Sequence, residues 1–282
     1  MTSATSDLSR VFEQQIAARR IELPPMPGTA TEVMALCQLE STDAAKLSAV
    51  IHRDQTIASN VLRVANSAAY MGQIPCSSLR QACSRLGMQV VMEIVMAVSV
   101  RGRMFGDRKH AKLLSSLWQH SVLTAFFTKE IARLRRRNVE IAFLCGLLHD
   151  VGKAALLDNV DKMTAENKLE VSTEALIAAI AEHHIEVGVL LAREWKLPEQ
   201  ITESIQFHHD AHSATRFQDM AMTVCLADLL AHLAAPGPFA EPPTEEELKS
   251  HPALVVLNLY AEQMQQLLEM RERALQVTEG LR

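Results

Sequence analysis

Three short stretches of the chain place histidine beside an acid or beside a second histidine: "LLHDVGK" at 147–153, "EHHIEVG" at 182–188 and "FHHDAH" at 207–212. Imidazole nitrogens and carboxylate oxygens are the donors that bind divalent ions and handle protons near neutral pH. His149 and Asp150 close an apolar run, where two proton-active groups have no packing role. Successive helical residues are about 100° apart, so the two cannot share a face but can flank a groove that holds an ion. The same geometry applies to His208 and His209.

Other single residues point the same way. His120 has Leu117 and Leu123 around it, and His184 has Ile180, Val187 and Gly188. Asp228 has Val224, Cys225 and Ala231 one turn away, with no Lys or Arg at that spacing on its helix. A carboxylate on such a face is buried, and burying it unpaired is costly, so a metal ion, a tertiary partner or a histidine from another helix must meet it. Mixed His and Asp donors suit Fe, Mn, Ni or Zn, and Asp150 could bridge two ions. Lys153 could neutralise a phosphate near them; the competing reading is a helix C-terminal lysine facing solvent. His52, His110, His212, His232 and His251 are read as ordinary core or surface histidines, and His183 is ambiguous beside His184.

Helices must position these groups. Only 4% of the 282 residues are aromatic, and Ala, Leu and Met recur at helical spacings without alternating β-branched runs, so the chain reads as all-α. A first amphipathic segment carries Leu8, Val11, Phe12 and Ile16, and "LPPMPG" stops it. Short helices are expected around 29–39 and 44–52. Asp54 should cap a helix through "QTIASNVLRVANSAAY", Ser78 the next, and Gly87 should end it. A long helix covers about 110–136 and finishes in "RLRRR"; Arg133, Arg135, Arg136 and Arg137 suit a solvated, dipole-favoured end better than a nucleic-acid patch. "VEIAFLCGLLHD" follows, then a helix from Ser172 or Thr173 to Lys196, another from Pro198 to His209, and "FQDMAMTVCLADLLAHLAA". A last amphipathic helix spans about 257–279. Asn66 and Ser67 in "NSAAY" suit pinning of an interhelical loop.

The divisions expected are 1–107, with a boundary near Gly106, then 108–238, then a C-terminal extension 239–282. A net charge of −5 gives no global pull toward nucleic acid or anionic lipid. Five scattered cysteines suit a reducing compartment, no secretory signal is visible, and the most apolar window, "LGMQVVMEIVMAVSV", is shorter than a membrane span. A cytoplasmic protein is expected.

The order His120, His149-Asp150, His184, His208-His209, Asp228 resembles the ligand series of the HD metal phosphohydrolase superfamily. "LPPMPGTATEVMALC", "VIHRDQTIASNVLRVANSAAY", "CSSLRQACSRLGMQVV" and "EVGVLLAREWKLPEQITESIQFHH" together resemble the HDOD family of bacterial signalling and regulatory proteins, over about residues 20–235. The resemblance implies an amino-terminal helical bundle packed on an HD-like bundle. Many HDOD members have lost HD ligands, whereas this chain keeps seven candidates. It departs from the HD-GYP phosphodiesterases in having "DAHSATRFQD" after His209 and no Gly-Tyr-Pro segment. The reading that follows is a signalling module acting through a protein partner, with a divalent metal in an HD-like site. The alternative is a metal-dependent phosphohydrolase in which Asp150 and Lys153 are catalytic.

Overall fold

The structure, a computed structural model, describes residues 3–67, 70–105 and 109–280. Gly106 and the Ala68-Ala69 part of "NSAAY" lie outside the described residues. The fold is all-α, and the pairing of Gly237 with Ala240 is an isolated bridge. The chain divides into two compact units, one built on Pro25–Arg103 and the other on the segments up to Pro24 and from Met104 to Glu279.

The first helix, α1 (Ser3–Ala17), belongs to the larger unit. The reason is its apolar face: Leu8, Val11, Phe12 and Ile16 are buried, and Phe12 meets His183 edge-on at 6.0 Å between ring centroids. Ser9 Oγ lies 2.7 Å from His183 Nε2 and also bonds Glu182, and Trp195 donates its indole N–H to the Pro24 carbonyl at 2.7 Å. The compact unit therefore unites residues expected to fall in three segments.

The smaller unit contains α2 (Gly28–Cys37), α3 (Ala44–Ile51), α4 (Gln55–Ala65) and most of α5 (Leu79–Met104). Asp54 caps α4 by accepting the Ile57 N–H at 3.0 Å. The helix stops at Ala65 rather than running to Tyr70. Asn66 explains the stop: it donates to the Cys76 carbonyl at 3.0 Å and accepts the Cys76 N–H at 2.7 Å, so it pins the loop from the helix end and not from an interior turn. Gly87 breaks α5 at φ 78°, a conformation that excludes side chains with a Cβ.

In the larger unit follow α6 (Ala111–Leu134), α7 (Val139–Leu148), α8 (Val151–Glu166), α9 (Thr173–Glu194), α10 (Glu199–Phe207) and α11 (Gln218–Ala234). Helix α8 had no counterpart in the sequence reading. Its apolar residues are spread round the cylinder because almost the whole of 151–160 is buried, so no amphipathic stripe marks it. Ser172 caps α9 through the Ala175 N–H. Glu203 in α10 accepts the N–H groups of both Arg216 and Phe217 at 2.8 Å, which fixes where α11 begins.

Arg135 is not a solvated helix end. Its guanidinium grips both oxygens of Asp219 at 2.6 and 2.7 Å and the Leu257 carbonyl at 2.7 Å, tying α6 to the first turn of α11. The expected single helix 257–279 is instead interrupted. After α12 (Glu245–Lys249) and α13 (Ala253–Val256), Asn258 takes a left-handed φ of 50° and turns the chain into α14 (Ala261–Glu269) and α15 (Arg271–Gly280). Met264, Leu267 and Leu268 then join Phe127 and Ile131 of α6 and Leu230 of α11 in one apolar cluster. Two helices, α5 and α9, are long and apolar enough to cross a membrane by length and composition, with 56% of each window buried. The buried face of α9 carries His184.

Candidate metal centre

Helix packing brings all seven candidate ligands to one place in the larger unit. His120 sits mid-way along α6, while His149 ends α7 and Asp150 precedes α8, so the break between those helices aims both side chains inward. His184 comes from α9, His208 and His209 from the end of α10, and Asp228 from α11. Six of the seven are at most 7% exposed, and His209 alone reaches solvent.

Asp150 is the hub. Its Oδ2 lies 3.3 Å from His149 Nε2 and 3.7 Å from His120 Nε2; its Oδ1 lies 3.4 Å from His184 Nε2 and 3.6 Å from His208 Nε2. Asp228 Oδ1 stands 2.8 Å from His120 Nε2 and 3.4 Å from His149 Nε2. Donors that can share an ion fall into groups on either side of Asp150: His184, His208 and His209 on one, His120, His149 and Asp150 on the other.

The imidazole orientations have a local cause. His149, His184 and His208 each donate Nδ1–H to the carbonyl three residues back, Gly146, Ala181 and Ile205, at 2.8 Å. A carbonyl only accepts, so Nδ1 carries a proton, and Nε2, which gives up any proton of its own when an ion binds, faces the centre. The paired Nε2 atoms of His120 and His149 are 3.3 Å apart, and those of His184 and His208 are 3.4 Å apart. Two nitrogens bound to one divalent ion at about 2.0–2.1 Å are roughly 3.0–3.4 Å apart. Asp150 Oδ1 is buried and has no hydrogen-bond partner among the described residues. The donor set fits a divalent transition-metal ion on each side of Asp150.

Lys153 is buried in the first turns of α8, with Nζ 2.6 Å from Asp150 Oδ2 and over the Phe239 ring at 5.1 Å. That overturns the solvent-facing, helix-end reading of this lysine, which followed from the unrecognised α8. Without an ion, burial disfavours charge on His149, yet the Asp150 and Asp228 carboxylates outweigh it and push its pKa up to about 10. Burial likewise opposes ionisation of Asp150, but Lys153 and His149 hold its pKa well below the usual carboxylate value. Burial lowers His184 to about 4 despite Asp150, and pushes His208 well down with help from the His149 charge.

These shifts set the pH behaviour of metal-free protein. His184 at about 4, against an ordinary 6.5, leaves the unfolded chain binding a proton the folded chain refuses, so stability falls as pH drops from 6.5 toward 4. His149 acts oppositely: its contribution is whole below pH 6.5 and is lost as pH rises toward 10. Urea denaturation of chelated protein is expected to give maximal stability near pH 6.5, each limb falling by on the order of 2 kcal/mol; a flat profile from pH 4.5 to 9 would contradict the assignment.

Two features escaped the sequence reading. His232, read as an ordinary core histidine, stacks on His120 at 4.3 Å between centroids and lies 3.5 Å from Asp228 Oδ1. Its spacing of four residues after Asp228 was the available signal. The glycines were the other. At Gly152 a Cβ would lie 1.9 Å from the His184 carbonyl oxygen, and at Gly146 2.7 Å from Ala125 Cα, so both helix crossings depend on a missing side chain.

The HDOD domain family matches residues 23–211, about two thirds of the chain. The chain belongs to the HDOD domain family. The match stops short of Asp228, which the fold nevertheless sets 2.8 Å from His120 Nε2. An HDOD domain protein of unknown function from Geobacter sulfurreducens superposes with a TM-score of 0.76 at 24% identity, covering 98% of this chain and 97% of that one. A Shewanella amazonensis protein provisionally called a metal-dependent phosphohydrolase gives 0.76 at 16% identity, covering 98% and 99%. At these identities the likeness speaks for the fold. Among curated proteins, an uncharacterized protein of Treponema pallidum is 24% identical over 76% of this HDOD chain and 43% of its own length. Ribonuclease Y of Mycoplasma genitalium is 29% identical over 46% of this chain and 23% of its own. The chain thus spans less than half the length of these curated relatives.

Proposed function

We propose that this HDOD protein is a signalling module that works through a protein partner in the cytoplasm, with the larger unit organised around a divalent-metal centre. The observation that carries the metal part is the convergence of imidazoles whose tautomers are fixed by backbone carbonyls onto two buried carboxylates. The non-catalytic emphasis rests on access. The cavity beside Asp150 and Lys153, roofed by Gly237, Pro238 and Phe239, has a volume of only about 10 Å³, room for about one water and not for a phosphoester. Exposed apolar side chains on the smaller unit, Leu39, Met71 and Ile74, suit recognition by a protein. The formal charge of −5 gives no electrostatic reason to favour nucleic acid.

A second reading, metal-dependent phosphodiester hydrolysis, draws support from the solvent-reaching His209 and from the partial likeness to Ribonuclease Y. A bound divalent ion would lower the pKa of a water and polarise a phosphoryl oxygen. The chain's own part would be to orient imidazoles through Gly146, Ala181 and Ile205 and to set Lys153 beside Asp150.

The test is elemental analysis of full-length protein purified without chelator, paired with hydrolysis assays on bis(p-nitrophenyl) phosphate, a dinucleotide and single-stranded RNA. We expect at least one equivalent of Fe, Mn, Ni or Zn, a melting temperature lowered by roughly 10 °C on chelation, and no turnover above buffer. Turnover abolished in Asp150→Asn would favour the second reading, and protein that takes up no metal would remove the second reading and the metal part of the first.

A further inference from the structure

The donor-rich region does not end at the seven residues of the HD series. His232, one turn after Asp228 on α11, turns Nε2 to within 3.5 Å of Asp228 Oδ1, the oxygen that also faces His120 and His149. One donor atom each from His120, Asp228 and His232 lie within 4.8 Å of one another, close enough to share an ion. His120 and His232 are only 6% and 5% exposed, and the Nδ1 of each is buried without a hydrogen-bond partner among the described residues. This contrasts with His149, His184 and His208, whose Nδ1 atoms all reach a carbonyl. Both rings line the small cavity roofed by Phe239. It is the Nε2 atoms of these two buried, tilted imidazoles that turn to one carboxylate oxygen, placing two nitrogens and an oxygen where a single divalent ion could be shared.

We propose that His232 is an eighth metal ligand, forming with His120 and Asp228 a nitrogen-rich seat for a divalent transition-metal ion next to that of His149 and Asp150. The inference rests on the metal-centre reading. Because His120 belongs to both donor groups, the ion it meets has two alternative positions, and His232 and Asp228 hold it in the second. Two imidazoles and one carboxylate select Zn, Co, Ni or Fe over Mg or Ca, which prefer oxygen donors. Gly237, Pro238 and Phe239 line the small cavity beside this seat.

The experiment uses the full chain loaded with Zn²⁺, comparing wild type with His232→Gln by chelator competition and by X-ray absorption at the zinc edge. The expected result is that one zinc is held at least about tenfold more weakly in the variant and that the mean number of imidazole scatterers per zinc falls. A residue that only oriented Asp228 would weaken binding without lowering the imidazole count, and that result overturns the proposal. An unchanged count and affinity overturns it too, while leaving the metal centre intact. Wild type that binds no zinc would instead fail the underlying reading. Should His232→Gln unfold, His232→Leu fills similar space without a metal-donor atom and supports the same comparison.

Discussion

Asp150→Ala is expected to cost the protein about 3–5 kcal/mol of stability and its capacity to hold a divalent metal together. The carboxylate touches more of the site than any other group: it pairs with Lys153 at 2.6 Å and stands 3.3 to 3.7 Å from the Nε2 atoms of four histidines. Removing it strands a lysine that is 5% exposed, and leaves Nε2 lone pairs facing one another with no bridging anion. An uncompensated buried charge is far more costly than a lost surface pair. Urea denaturation with and without added Zn²⁺ measures both effects. The double variant Asp150→Ala, Lys153→Met is expected to recover part of the stability and none of the metal, since it removes the stranded charge but not the missing ligand. Full metal content in Asp150→Ala would show that the hub lies elsewhere.

Gly152→Ala should be nearly as damaging, by more than about 3 kcal/mol, although it alters no ligand. Its Cβ would stand 1.9 Å from the His184 carbonyl oxygen and 2.6 Å from the Gly188 amide nitrogen, and both obstacles are backbone. Helix α8 would have to move off α9, separating Asp150 from His184. Gly188→Ala should be milder, because its nearest obstacle outside the chain neighbourhood is the Ile205 Cγ2 methyl at 2.8 Å, the tip of a side chain. The ordering of the two unfolding midpoints is the measurement. Equal and small losses would mean that α8 and α9 are not in close contact.

Much of the helical order was legible in the chain because helices carry local signatures. Asp54, Ser172 and Gly87 mark their boundaries through caps and a left-handed turn that depend only on neighbouring residues. Asp228 was legible as a buried carboxylate needing a partner, since the apolar residues one turn away fix its environment. Helix α8 was not, because a segment buried on all sides has no hydrophobic stripe, and the competing solvent-facing reading of Lys153 followed directly from that. The turn at Asn258 was hidden for a related reason: the apolar spacing of 257–279 is compatible with one helix, and only packing against α6 and α11 bends it into pieces.

The order and type of the metal-binding candidates were set by the sequence alone, as was the all-α class. Which oxygen of Asp150 faces which histidine, that His232 stacks on His120, that Arg135 clamps Asp219, and that α1 belongs with the larger unit were decided by tertiary structure. Those relations join residues from different helices, and helical periodicity specifies a face without naming its partner. The partner is chosen where helices can approach, and here missing side chains at Gly146 and Gly152 permit the approach that closes the site.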